Sequence, residues 1–286
     1  MGNTICDFRL KCFLEETLKE LCLYKNVIIH ILNLNCYNCT VLKIKVLLLN
    51  FAGDYLKTNI ITLAHQKGGT GKSTLAWNLA VELSKKYKKY GYKKFLFVDL
   101  DNQESVTMTN RLRMQYGQAP LEIIRFTDDE RTNLEEFINS INDDTLVIID
   151  SGGYDADLNR MAIIASDFVI TPVSSDYMEI FGLQKFKTIL EELSEIKGEI
   201  VKVNVVLNKI DPKLKDFSDI VDFINDIKNF KLMNTVIRFR SDYKHSIGYG
   251  FSVKELDKKS KSSDEVTSFI KEIEKKAGFK NGKKKK

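Results

Sequence analysis

Residues 66 to 74 read Gln-Lys-Gly-Gly-Thr-Gly-Lys-Ser-Thr, a run whose residue types suit one task, the cradling of phosphate oxygens. Gly68, Gly69 and Gly71 carry no side chains, so the backbone N–H groups from Gly68 through Thr70 to Lys72 can curl around an anion. A helix beginning just after them adds the partial positive charge of its N-terminus. Lys72 is then placed to reach the β- and γ-phosphates of a nucleotide, and Ser73 offers a hydroxyl to Mg²⁺, an ion that keeps most of its waters and takes few protein ligands. Thr74 is expected at the α-phosphate. The unusual member is Lys67, a second lysine five positions before the usual one.

The flanks supply the elements such a loop needs. Asn59 to His65 reads as a buried strand, and Ser73 to Tyr90 as a helix with Leu75, Leu79, Val81 and Leu83 inward. Further apolar runs end in acids. Lys94 to Val98 leads into Asp99-Leu100-Asp101-Asn102-Gln103, and Thr145 to Ile149 into Asp150. Asp at a strand end is often only a turn former, favoured for its local hydrogen bonds. Three such acids following a phosphate loop favour a site, and Asp150 stands where a magnesium-bound water needs a carboxylate.

The loop lacks the glycine that commonly stands five residues before the Gly-Lys pair, having Gln66 there, and Lys-Gly-Gly-Thr-Gly-Lys-Ser-Thr resembles the deviant Walker A loop of the ParA/MinD family of ATPases. Asp99 to Gln103 is similar to that family's Asp-x-Asp-x-Gln segment, and the resemblance covers about residues 59 to 253. It implies that Lys67 crosses a dimer interface to the partner's nucleotide, that Asp101 orients or polarises the attacking water, and that Asp99 lies near the Mg²⁺ shell. Ser151-Gly152-Gly153 departs from the two prolines that often follow the Walker B acid. Asn208-Lys209-Ile210-Asp211 matches the guanine motif Asn-Lys-x-Asp of many GTPases. The family resemblance instead implies ATP, with Asn208 at the adenine and Asp211, before Pro212, starting a helix.

Strands near 60–65, 94–98, 121–126, 145–149, 168–171, 201–207 and 234–238 alternate with helical patterns. Such alternation predicts right-handed βαβ crossovers and an α/β fold: a three-layer, doubly wound, mostly parallel twisted sheet with helices on both faces, the P-loop NTPase architecture. The domain expected is 56–279, within a chain of 286 residues.

All five cysteines (Cys6, Cys12, Cys22, Cys36, Cys39) precede that domain. Cys36 and Cys39 have the spacing of half a zinc site, but no second pair completes it. The apolar stretch from Val27 to Phe51 is interrupted by His30, Asn33, Asn35, Asn38, Lys43 and Lys45, which makes a poor membrane span. Members of the resembled family without an N-terminal DNA-binding domain begin just before the first strand, which implies that residues 1–55 are an extension outside the native product, with Leu56 as the start; a real extension that binds a partner is the alternative. No cysteine follows the phosphate loop and no tyrosine follows Tyr249, which argues against relatives that carry iron–sulfur clusters or a C-terminal tyrosine cluster.

The net charge is only +5, and from Lys254 onward twelve lysines face six acids. Residues 280–286 read as a disordered lysine-rich tail that adds non-specific attraction to a polyanion. Arg238, Arg240 and Lys244 lie in a segment that resembles the one bordering the DNA-binding face of ParA proteins, and they are the phosphate-contact candidates. Asp264 to Ala277 has Val266, Phe269, Ile270 and Ile273 on one helical face, a stripe that suits a core better than a MinD-like membrane tail. The expectation is a ParA-like partition ATPase using ATP and Mg²⁺: an ATP-dependent homodimer that binds double-stranded DNA, answers to a ParB-like partner, and works in the bacterial cytoplasm at the nucleoid. A MinD-like positioning ATPase at the membrane is the alternative. Intact-mass measurement of the native product checks the Leu56 start: the expected mass lacks residues 1–55, and a mass that includes them contradicts it.

Overall fold

A computed structural model describes residues 58–279 apart from 154 and 155. The expectations for residues 1–55, the cysteines and the lysine tail lie outside these residues. Seven strands form one sheet: β1 (Ile60–Leu63), β2 (Lys94–Asp99), β3 (Ile123–Arg125), β4 (Thr145–Asp150), β5 (Phe168–Val173), β6 (Val203–Ile210) and β7 (Phe230–Arg238). Their order is β3-β2-β4-β1-β5-β6-β7, and every pairing is parallel. The helices are α1 (Lys72–Ser84), α2 (Ser105–Gln115), α3 (Arg131–Ser140), α4 (Asp157–Ala165), α5 (Tyr177–Lys197), α6 (Ser218–Asn225), α7 (Ser241–Gly248), α8 (Val253–Leu256) and α9 (Lys261–Lys276).

The period of two along each strand divides its side chains between the layers. Ile61, Leu63, Phe97, Leu146, Ile148 and Ile170 point to the face covered by α1 and α9. Ile60, Leu96, Val98, Val147 and Ile149 meet α3 and α4 on the other face, where Val169, Val203 and Val205 meet α5 and α6 further along. Both faces being covered, the central strands are apolar throughout. The chain leaves β1 through α1 on one face and β4 through α4 on the other. Their carboxyl ends therefore open a crevice at the sheet's switch point.

Polar groups buried within the α1 layer fix that helix's orientation. The Trp77 indole donates to the Phe251 carbonyl at 3.1 Å, the Asn78 side-chain oxygen accepts the Val253 N–H at 2.9 Å, and the Ser252 hydroxyl donates to Glu82 at 2.9 Å. α1 ends at Ser84, shorter than the helix expected to Tyr90, because a 3₁₀ turn (Tyr87–Tyr90) and Gly91, at φ 84°, bend the chain back towards β2. β3 is trimmed to three residues, while β6 runs on to Ile210 and β7 begins at Phe230. α9 starts at Lys261, earlier than its apolar stripe announces, because the Ser260 hydroxyl caps it by accepting the Ser263 N–H at 3.1 Å.

The stripe of α9 is core. Val266, Phe269, Ile270 and Ile273 are all at most 1% exposed and pack in the cluster that includes Trp77 and Phe97. Among the described residues no helix is long and apolar enough to cross a membrane. Phe269→Ala is expected to lower the unfolding free energy by about 3 to 5 kcal/mol in urea titration, the usual cost of emptying a buried aromatic site. A loss below about 1 kcal/mol would contradict the core assignment.

Candidate nucleotide site

The loop between β1 and α1 holds the backbone that its glycines permit. Gly69 and Gly71 stand at φ 79° and 96°, in the left-handed region, and Gly71 is the residue from which α1 starts. A second constraint acts at Gly71, where an added Cβ would lie 2.4 Å from the Asn208 amide nitrogen. That amide donates to the Thr70 carbonyl at 2.8 Å, and Lys209 Nζ donates to the Gly69 carbonyl at 2.5 Å. The end of β6 thus grips two consecutive carbonyls of the loop. Lys209 is itself at φ 58°, a left-handed conformation uncommon for a side-chain-bearing residue.

A cavity of about 540 Å³ opens beside the loop, lined by Gly68, Gly69, Gly71, Lys72, Ser73, Thr74, Asp101, Thr109, Gly153 and Lys209 among others. Lys72 is 4% exposed, and its ammonium donates to the Lys67 carbonyl at 3.3 Å. Burial pulls its pKa down, and Asp150, Asp101 and Glu179 oppose that fall. Asp150 ends β4, fully buried, with its pKa pushed up chiefly by burial. Neither of its carboxylate oxygens has a hydrogen bond of acceptable geometry, although the Ser73 hydroxyl is near enough to favour the ionised form.

A buried carboxylate without partners beside a serine hydroxyl is the donor set expected of a divalent-ion site completed by water and phosphate. Among the described residues no group of three or more His, Cys, Asp or Glu is placed to hold a metal ion alone. The donors therefore fit Mg²⁺ bound together with a nucleotide.

Asp101 lines the cavity, and its Oδ1 accepts the Gln103 N–H at 3.0 Å. Asp99, expected near the Mg²⁺ shell, ends β2 in register with Asp150 and close enough to help raise its pKa, and the fold gives it a second task as well. Its oxygens accept the Asp101 N–H at 3.1 Å, the Thr107 hydroxyl at 2.8 Å and the Thr107 N–H at 3.4 Å, so it shapes the turn that presents Asp101. Burial still raises its pKa. Asp211 starts no helix, because its Oδ1 accepts the Lys213 N–H at 2.7 Å in a turn and α6 begins only at Ser218. That turn uses one oxygen of the exposed carboxylate.

Lys67 does not line the cavity. Its ammonium lies 2.5 Å from Glu179 Oε1, on the first turn of α5. Its backbone N–H donates to His65 Nδ1 at 2.9 Å, which puts the imidazole proton on Nε2. Burial first, then Lys72 and Lys67, hold His65 down at about 3, so it stays neutral. Arg238 donates to the carbonyls of Asp211 and Leu214 at 3.0 and 2.8 Å, and Arg240 pairs with Glu265 at 2.7 Å, while Lys244 is exposed. Glu179 escaped sequence reasoning, as did the contacts of Lys209 and Gly153 with the loop, because the partners lie far away in the chain. The Asn-Lys pair at 208–209 and the Ser-Gly-Gly run at 151–153 carried the signals that could have found them.

The crevice, the phosphate loop and the buried strand-end acid define a P-loop nucleotide-binding protein. Residues 61–253 match the CobQ/CobB/MinD/ParA nucleotide binding domain, and the chain belongs to that family. A virulence plasmid ParA family protein of Chlamydia psittaci is 26% identical over 247 residues, covering 73% of this chain and 92% of the relative. The chromosome-partitioning ATPase Soj of Thermus thermophilus is 30% identical over 163 residues, covering 48% of this chain and 63% of the relative. A plasmid partition protein of Borrelia burgdorferi bound to AMPPNP shares the fold at TM-score 0.59 and 19% identity, covering 77% of this chain and 100% of its own. MinD of Pyrococcus horikoshii complexed with Mg-ADP does so at TM-score 0.55 and 20% identity, covering 79% and 99%.

Gly153 belongs to the Ser-Gly-Gly run that stands where the resembled family often has two prolines. An added Cβ would lie 2.8 Å from the Gly68 Cα, so the segment after β4 packs directly on the phosphate loop. Gly153→Ala is expected to weaken nucleotide binding about tenfold or more, since overpacking costs about 1 to 3 kcal/mol and here falls on the cradle. Unchanged affinity in a nucleotide titration would show that the loop tolerates the displacement.

Proposed function

We propose that this protein is a ParA-like partition ATPase in which ATP closes a homodimer through Lys67, dimerisation raises affinity for double-stranded DNA, and hydrolysis releases it. The observation that carries this reading is the division of labour between the two lysines. Lys72 lines the phosphate cavity of its own chain, whereas Lys67 stands outside it, 42% exposed along its side chain. A lysine so placed is available to a second copy.

ATP and Mg²⁺, when bound, supply the reacting phosphoryl group and the neutralisation of its charge. The chain's own residues do the rest. The loop amides and Lys72 hold the phosphates, Ser73 and Asp150 hold the ion and its waters, and Asp101 accepts a hydrogen bond from the attacking water. Asn208 donates its amide to Thr70, which leaves its side-chain oxygen as an acceptor for the exocyclic amine of adenine. This favours ATP over GTP.

Two subunits on one duplex add their phosphate contacts, which converts dimerisation into DNA affinity without base reading. Lys244 is the foremost contact in this account. Arg240 would share its charge with Glu265, and Arg238 serves mainly to hold the 211–214 turn. A ParB-like partner would accelerate hydrolysis and so release the DNA, at the nucleoid in the cytoplasm. The MinD-like alternative is disfavoured by α9, whose apolar stripe is consumed by the core.

Lys72→Ala is expected to lower ATP affinity about 10- to 100-fold, the worth of a hydrogen bond to a charged group. Asp101→Ala should keep ATP binding and trap the dimer, and hydrolysis at the parental rate would refute its role. DNA retention compared with ADP, ATP and a non-hydrolysable analogue tests the whole. Retention is expected only with the triphosphates, with a salt dependence that flattens in Lys244→Ala. Retention on lipid vesicles in place of DNA would favour the alternative.

A further inference from the structure

Lys67 does not simply project into solvent; three features of the chain make a berth for it. His65 Nδ1 holds its backbone N–H. Gly182, three residues after Glu179 on α5, carries no Cβ to press on His65, whose Cε1 would lie 3.3 Å from it, and the Lys67 Cβ and Cδ pass at ordinary contact distance, 3.8 Å from the same position. Glu179, 6% exposed, then receives the ammonium at 2.5 Å. The other Glu179 oxygen, Oε2, is buried without a partner among the described residues, where Lys67 provides the hydrogen bonding of this carboxylate.

We infer that Glu179 is a positioning residue that keeps Lys67 on its own subunit until nucleotide-bearing copies meet, and so sets the threshold for dimer closure. This rests on the reading that Lys67 serves the partner's nucleotide. Moving the ammonium strips a buried carboxylate of this partner, a cost that only a stronger anion can offset. A triphosphate presented by a second copy is such an anion. A monomer meeting an empty or diphosphate-bearing copy offers less negative charge to Lys67, and the berth keeps it.

The test is the fraction of dimer against ATP concentration, by analytical ultracentrifugation with the Asp101→Ala background preventing turnover. Glu179→Gln keeps shape and a hydrogen-bonding amide but removes the charge. The half-maximal ATP concentration is expected to fall on the order of tenfold, as the buried ion pair no longer has to be broken. Glu179→Ala, which removes the carboxylate altogether, should act in the same direction. In a Lys67→Met background, adding Glu179→Gln should change nothing further. An unchanged or raised half-maximal concentration in Glu179→Gln and Glu179→Ala would overturn the inference, showing that Glu179 is indifferent or that it aims Lys67 within the closed dimer. If instead Lys67→Met dimerises like its parent, the trans role of Lys67 fails and the inference falls with it.

Discussion

The phosphate loop can face an anion because its carbonyls are occupied elsewhere. Across a trans peptide the C=O and the following N–H point in opposite directions. Asn208 and Lys209 draw the Thr70 and Gly69 carbonyls towards β6, which turns the N–H groups of Gly71 and Thr70 away from it. A loop of glycines has the freedom to make this shape but no reason to keep it. The grip from β6, the close approach of Gly153 and the firm anchoring of α1 through Trp77, Asn78 and Glu82 supply the reason.

Around that loop the charges are arranged as a set awaiting phosphate. Lys72 is buried against its preference, and Asp150 is buried without a hydrogen bond of its own. Each group is expensive in isolation and tolerable only in the field of the others. Lys67 belongs to the same electrostatic system but is parked on Glu179 at its margin, on a different element and outside the cavity. One lysine thus lines the cavity, and the other lies at its margin in an ion pair with Glu179.

Much of this was legible in the chain because it is written contiguously. The phosphate loop, the acids at the ends of β2 and β4, and the alternation of seven apolar runs with helical patterns are local patterns, and the parallel sheet follows from them. What eluded the reading depends on partners distant in sequence. Asp99 reads like Asp101, and the hydrogen bond it accepts from Thr107 shows only in the fold. Arg238 and Arg240 look like a free basic pair until the 211–214 carbonyls and Glu265 are placed beside them. Glu179 is an ordinary acid near a helix start until the β1–α1 loop brings Lys67 to it, 112 residues away in the chain. The apolar stripe of α9 showed a buried face without showing which layer it would close.

The most direct measurement is a complementation assay between two inactive subunits. Lys67→Ala retains a complete phosphate cavity but offers no lysine to its partner, whereas Lys72→Ala offers Lys67 but binds nucleotide poorly. Each alone should be inactive in ATP hydrolysis, and their mixture should recover activity at the one composite site in which an intact Lys72 meets a partner's Lys67. If the mixture stays as inactive as its parts, Lys67 acts within its own subunit and the account is wrong.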